Sequence, residues 1–521
     1  MKSLARFLTG VITIGALATP AFGQSAIDPS ARIAALEQQL AALQPGPGTV
    51  SPAPAIPAAQ DPAALERRIR ELEMKIEQLL KEKALPASKL MNNEDQERTL
   101  DPVALAGFYD NGYLVASSAD GAFKYWLDGR ANLDFATYRG SENRLPTGFE
   151  VRRARIGVKT TLFTDWLAEI DIDFADNLIE MKDVWMGYAG FSNTLIKAGN
   201  HKSPFGLESL TSSKNITFIE RPYIDSWAPD RLMGLNVSHW GRHFQVSGGV
   251  YGEAAGAFND KDSLTGGGAG TSQRWSLIGR VTVAPLNEKG KVLHFGAAAA
   301  YRRADVAKIA TSGADLPDRL NASKIVKLDS RAETHVSRAK FVSTGDMKYV
   351  DNYQQYGAEV AGVAGPMTFQ GEYQMTKVNR LATTVAAYAD HEFSGYYGQV
   401  TFFLTGERRP YSVSEGEFLR IVPTRKRGAV ELGVRYSTID LDDVTTVDPI
   451  KGGAAKNITG GVTWFMNANH KLMFNVTQVD NNDNAKPGKD WAPLPTGTST
   501  TQTSIVGDKF VTFAVRYQIA F

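Results

Sequence analysis

Cysteine is absent from the 521 residues, which excludes disulfide cross-linking, thiolate catalysis and cysteine-ligated zinc together. Net charge is nearly absent as well. Lys and Arg number 57 against 56 Asp and Glu, so the chain lacks the basic excess of a nucleic-acid-binding protein and no such partner is expected. Long apolar runs are missing, and 22% charged residues with a mean hydropathy of −0.24 make the chain too polar for a bundle of membrane helices. The seven histidines lie scattered without ligand spacing, so no metal and no cofactor are expected. A glycine-rich run, Gly266, Gly267, Gly268 and Gly270, is not followed by Gly-Lys-Ser/Thr, which argues against a phosphate cradle. His239, Ser238 and Asp230 do not make a hydrolase, because alternation puts His239 and Ser238 on opposite faces of a strand.

What is present begins with an export signal. Lys2 and Arg6 precede an apolar stretch from Leu8 to Ala18, and Ala21-Phe22-Gly23 offers a small-residue cleavage site, so residues 1–23 read as a signal peptide. Ile33, Leu36, Leu40 and Leu43 then recur at steps of three and four. A Pro/Gly/Ala run over 45–57 interrupts this seam, which resumes at Leu65, Ile69, Leu72, Ile76 and Leu79. Residues 24–100 thus read as short periplasmic α-helical coiled-coil segments joined by a stiff linker, and the seam predicts an oligomer. Tethering of the outer membrane to the cell wall through this segment is an alternative role. An amphipathic helix packed on its own barrel fits the same spacing.

Beyond Leu100 the period changes to two, which places a domain boundary there and a second domain over 101–521. Val511, Phe513, Val515, Tyr517, Ile519 and Phe521 share one face of the last segment, opposite Thr512, Ala514, Arg516, Gln518 and Ala520. Val430, Leu432, Val434 and Tyr436 oppose Glu431, Gly433 and Arg435 in the same manner. Leu293, Phe295, Ala297, Ala299 and Tyr301 oppose His294, Gly296 and Arg302. Arg and Glu opposite so aromatic a face suit a barrel with lipid outside and water inside. Connection lengths agree. Short ones near Thr164, Ser192, Gly241, Pro366 and Ala468 alternate with long ones at Asn200 to Arg231, Tyr251 to Gln273, Arg303 to Asn352 and Asp480 to Asp508. The expected fold is an all-β transmembrane barrel of about sixteen antiparallel strands in the outer membrane of a Gram-negative cell. The connection Arg408 to Arg427 breaks the rule, being long where the order predicts a periplasmic turn.

With the aliphatic face outward, the strand after Phe149 aims Arg153, Arg155, Gly157 and Lys159 inward, and strict alternation turns Arg152 outward. Arg130, Arg280, Arg302, Arg435 and Arg516 also point inward. A column of cations at a spacing of about 6.6 Å would pass anions between weak sites. The next strand sends Glu169, Asp171 and Asp173 inward, where they would pair with that column and neutralise it.

The runs Arg152-Arg153-Ala154-Arg155-Ile156-Gly157-Val158-Lys159, Asp165-Trp166 on to Asp173-Phe174, and Pro204-Phe205-Gly206-Leu207-Glu208 through Thr211-Ser212-Ser213-Lys214 to Glu220-Arg221 resemble the phosphate- and polyphosphate-selective porins of Gram-negative outer membranes. Leu404-Thr405-Gly406-Glu407 and the terminal strand share this resemblance, which spans nearly everything after Leu100. It implies a sixteen-stranded homotrimeric barrel in outer-membrane lipid, with an inward-folded third external loop, here Asn200 to Arg231. It also implies pore-lining roles for Arg130, Arg152, Arg153, Lys214 and Arg221. Family members place a lysine where Ser209 stands here, at the central phosphate site, while Lys202 and Arg155 add cations. Lys202, Lys214 and Arg221 on the loop, facing Arg153 and Arg155, form the candidate phosphate cluster. The expected activity is passive diffusion of small anions, phosphate or polyphosphate foremost, without catalysis; a general or non-selective porin is the alternative.

Overall fold

The computed structural model describes residues 105–110, 112–255, 274–306, 324–381, 388–493 and 503–521, together with the helical Glu71 and Lys75. The expected signal peptide and nearly all of the helical seam lie outside the described residues.

Period-two patterning becomes a closed antiparallel barrel. Its first eight strands are β1 (Lys124–Arg139), β2 (Gly148–Leu162), β3 (Trp166–Asp173), β4 (Glu180–Tyr188), β5 (Thr194–Lys202), β6 (Arg231–Trp240), β7 (Phe244–Tyr251) and β8 (Ser276–Glu288). The second eight are β9 (Lys291–Arg303), β10 (Val350–Ala364), β11 (Met367–Arg380), β12 (His391–Phe403), β13 (Ala429–Asp443), β14 (Ile450–Phe465), β15 (His470–Asn481) and β16 (Lys509–Ala520). Each pairs with its neighbours in sequence, and β16 closes on β1 from Val511 opposite Arg139 to Ala520 opposite Arg130. The sheet contains eighteen strands because a hairpin, Leu105–Asp110 with Tyr113–Ser118, adds to the edge that β1 leaves open below β16. Sixteen strands make the closed ring. Closure pairs the backbone N–H and C=O groups of the wall without leaving an edge in hydrocarbon.

Side chains are sorted inside out. On β13 Leu432, Val434 and Tyr436 stand 38%, 59% and 38% exposed on the outer wall, whereas the charged Glu431 and Arg435 are each 1% exposed within. Aromatic residues gather at the strand ends of the outer face. Trp166 packs on Tyr188 and Tyr188 on Phe191 at the short-turn end, and Trp275 on Tyr301 at the other. Such girdles mark the two membrane–water interfaces. Tight turns need little chain: Lys289-Gly290 joins β8 to β9, with Gly290 at φ +77°.

Among the described residues, three connections enter the lumen. The external loop 203–230 and the external loop 304–349 share an apolar cluster with the inner wall, which joins Tyr223, Ile224 and Trp227 to Phe341, Val342 and Met347. The long connection 404–428 enters from the periplasmic end. Arg409 on it donates to Glu431 Oε1 at 2.5 Å and to the Asn215 carbonyl at 2.9 Å, and Gln245 Nε2 donates to the Ser414 carbonyl at 2.8 Å. Leu207 of the external loop and Phe418 of the periplasmic one belong to a single buried cluster. This accounts for a length that alternation left unexplained: the connection is an inward arm, held by buried polar contacts to the wall.

Candidate functional site

One arginine lies where strict alternation would not put it. In the β1–β2 pairing Asn132 faces Arg153 and Leu133 faces Val151, so Arg152 is the extra residue of a β-bulge. The expectation that Arg152 faces lipid is therefore corrected. Its guanidinium forks onto Glu220 of loop 203–230, with Nε to Oε1 at 2.9 Å and Nη2 to Oε2 at 3.1 Å. Past the bulge the outward parity passes from Phe149 and Val151 to Ile156 and Val158, all exposed.

Below the bulge the cations form a lattice with carboxylates. Arg155 Nε donates to Asp173 Oδ2 at 2.7 Å and lies 3.7 Å from Asp171, which lies 3.7 Å from Arg130. Arg130 also donates to Ser213 Oγ at 2.6 Å. Lys159 sits 3.1 Å from Glu169 and 3.5 Å from Asp128. Arg130, Arg155, Lys159 and Lys214 thus meet Asp128, Glu169, Asp171 and Asp173, four against four, and this stretch of wall carries no net charge. The pairing of the column with Glu169, Asp171 and Asp173 is what the structure shows. Asp128 was legible by the same parity as Arg130.

Of the three loop cations, Lys202 and Arg221 gather on one helix end and Lys214 binds elsewhere, so the expected single cluster opposite Arg153 and Arg155 is corrected. Lys214 Nζ donates to both oxygens of Asp128, at 2.8 and 2.7 Å. Lys202 donates to the carbonyls of Ser209 and Leu210, the latter at 3.0 Å. Arg221 donates to the Glu208 carbonyl at 2.8 Å and the Thr211 carbonyl at 2.7 Å. These carbonyls end the short helix Leu207–Leu210, whose C-terminal partial negative charge favours cations. Ser209 is buried within that helix. At the other end Glu372 accepts the Leu207 and Glu208 amides at 2.9 and 2.7 Å.

The remaining predicted cations face inward, on the side filled by the loops. Arg280 donates to Glu359 at 2.7 Å and to the Gly416 carbonyl at 2.8 Å. Arg435 donates to Glu333 of loop 304–349 at 2.6 Å, and Arg302 to Gln355 at 3.3 Å with its guanidinium over the Tyr353 ring. Arg516 is clasped by both Asp134 oxygens at 2.7 and 2.6 Å and reaches Glu220 at 2.6 Å. Arg302, Arg435 and Arg516 lie behind the loops and do not border the open cavity.

That cavity measures about 1090 Å³ and is bounded by β1–β8, loop 203–230 and the periplasmic arm. Fifteen Lys and Arg line it against ten Asp and Glu, so a chain with nearly no net charge gathers a positive excess around its lumen. Sequence reasoning missed Lys197, which lines the cavity with its ammonium 4.4 Å from the centre of the Trp185 ring. It also missed Arg231, which donates to Asp183 at 2.6 Å. Glu415 and Glu417 on the arm were missed because loop residues have no period. Burial, reinforced by Glu415 beside it, pushes the Glu417 carboxyl up to about 8, so it is neutral at pH 7. Burial raises the Glu415 carboxyl too.

A closed barrel with an apolar outer band, aromatic girdles and a polar, charged lumen defines an outer-membrane porin. The sequence profile described as phosphate-selective porin O and P matches residues 126–502, and the chain belongs to that family. Porin O of Pseudomonas aeruginosa is 28% identical over 383 residues, covering 68% of this chain and 83% of that protein. An uncharacterized protein of Caulobacter vibrioides is 26% identical over 424 residues, 79% of this chain and 76% of that one. Among solved structures, OmpT of Vibrio cholerae in a trimer form superposes with a TM-score of 0.44 at 9% identity, over 77% of this chain and 100% of that chain. The outer membrane channel DcaP of Acinetobacter baumannii gives 0.43 at 10%, over 78% and 99%.

Proposed function

We propose that this porin conducts small anions, phosphate among them, by passive diffusion. The observation that carries the reading is the excess of lysine and arginine around the cavity. Fixed positive charge in a narrow aqueous path raises the local concentration of anions and lowers that of cations. Because many of these cations are already paired with carboxylates, the preference is moderate and their donors are largely engaged. Phosphate therefore binds weakly. Phe149, Leu178 and Ile179 are 84%, 60% and 76% exposed at the outer ends of β2–β4. A neighbouring copy would cover them, which supports a homotrimer.

The test is electrical. Reconstituted channels in a salt gradient are expected to favour chloride over potassium, and phosphate is expected to block chloride current only at high concentration. Ser209→Lys, which adds an ammonium beside Lys202 and Arg221, is expected to tighten that block. A preference for potassium would overturn the anion reading; tight block in the unaltered protein would overturn the weak phosphate site.

A further inference from the structure

Loop 203–230 carries a carboxylate into the densest group of arginines described in the lumen. Glu220 accepts the fork of Arg152 at 2.9 and 3.1 Å and Arg516 Nη2 at 2.6 Å, and Arg153 Nη1 stands 3.9 Å away. The backbone and one further carboxylate bring these donors together. Arg516 is anchored by Asp134, and the bulge in β2 brings Arg152 and Arg153 to the same side of the wall. Three guanidiniums brought to one carboxylate by two different devices form an oxyanion site whose ligand is part of the chain.

We infer that Glu220 is a tethered anion, occupying an oxyanion site built by Arg152, Arg153 and Arg516 that would otherwise take phosphate or a free carboxylate from the lumen. This deepens the anion reading above and rests on it. Burial alone would raise the Glu220 carboxyl, but Arg152, Arg153 and Arg516 outweigh it and hold it well below the usual carboxylate range. It therefore stays ionised at neutral pH. A diffusing dianion must compete with a ligand that is covalently held and so present at high effective concentration. Arg152 and Arg153 both border the cavity, so a vacated site would open to the lumen. Glu220 thus keeps the arginines oriented while reducing the affinity of the upper lumen, which suits a pore that must release what it admits.

The experiment compares full-length wild type, Glu220→Gln and Glu220→Ala in planar bilayers and in detergent. Glu220→Gln keeps the shape and removes the charge; it is expected to lower the phosphate concentration for half-block of chloride current at least tenfold. Glu220→Ala leaves a carboxylate-sized space. Acetate or phosphate is expected to raise the temperature at which this variant's folded gel mobility is lost, with no such rise in wild type. Unchanged block in Glu220→Gln, or no protection of Glu220→Ala by either anion, would overturn the inference and assign Glu220 only to pinning the loop. The protection assay reads the site without current. A wild-type preference for potassium would sink the anion-channel reading while leaving the occupied site open to this test.

Discussion

Phe521 completes the barrel against Gly129. The two exchange both backbone hydrogen bonds at 3.0 Å, and a Cβ on residue 129 would stand 2.3 Å from Phe521 Cζ. The terminal residue is thus a ladder residue whose ring needs the space glycine leaves. Deleting Phe521, or Gly129→Val, is expected to lower the yield of heat-modifiable folded barrel severalfold. An unchanged ratio of folded to unfolded bands on gels would show that closure is complete without it.

The parts of this molecule legible from sequence are those where one period governs. On β13 and β16 each outward residue was placed correctly, because lipid outside and water inside leave the alternation no freedom. Arg152 escaped that logic through a single inserted residue, and nothing in Arg152-Arg153 indicates which of the two is the bulge. Glu220, Glu415 and Glu417 lie on segments without a period, whose course is set by contacts such as Arg409 with Glu431, close in space but related by no pattern in the sequence. The pairing of Arg155 with Asp173 was open on paper because registers of neighbouring strands are fixed only by the turn between them. Phe163 at φ +51° and Thr164 at φ +72° lie in that turn, and Leu162 pairs with Trp166 across it.

Topology is directly testable because the chain has no cysteine. Arg144 is exposed on the external connection between β1 and β2, whereas Lys426 is exposed at the periplasmic foot of the arm. A membrane-impermeant maleimide added to intact cells is expected to label Arg144→Cys and to leave Lys426→Cys unlabelled until the envelope is permeabilised. The opposite pattern would invert the barrel.

Cations differ in what they add to selectivity. Arg155→Ala takes from Asp173 its partner at 2.7 Å and leaves Asp171 with Arg130 alone, and one of the two carboxylates is expected to take up a proton, which restores neutrality. Removing one partner of a buried pair costs about 3–5 kcal/mol, so the folded gel mobility is expected to be lost at a lower temperature while the chloride preference changes little. Lys197 has no carboxylate within ion-pair distance among the described residues, and its charge faces the cavity. Lys197→Ala is expected to lower the chloride-over-potassium preference more than Arg155→Ala does. Equal losses would mean that pairing does not screen the wall.

The periplasmic arm supplies the pH dependence. Glu417 and Glu415 border the cavity, where Lys159, Lys197, Lys202, Arg280 and Glu169 face them. Burial first, and then mutual repulsion with Glu415, raises the Glu417 carboxyl to about 8, so it is protonated and neutral below that pH and anionic above it. The folded chain therefore holds this proton more tightly than the unfolded chain. The stabilisation that results is complete below the ordinary carboxylate range and is lost as pH rises through about 8. Selectivity follows the same sign, because each ionised carboxylate subtracts from the positive excess of the lumen. Chloride preference is expected to hold steady up to pH 7 and to fall between pH 7 and 9. Glu417→Gln, which cannot ionise, is expected to lessen that fall, the remainder following the Lys214 ammonium, which burial lowers to about 7. Reversal potentials measured in a salt gradient at stepped pH check both; a fall of equal size in Glu417→Gln would place the titrating group elsewhere in the lumen.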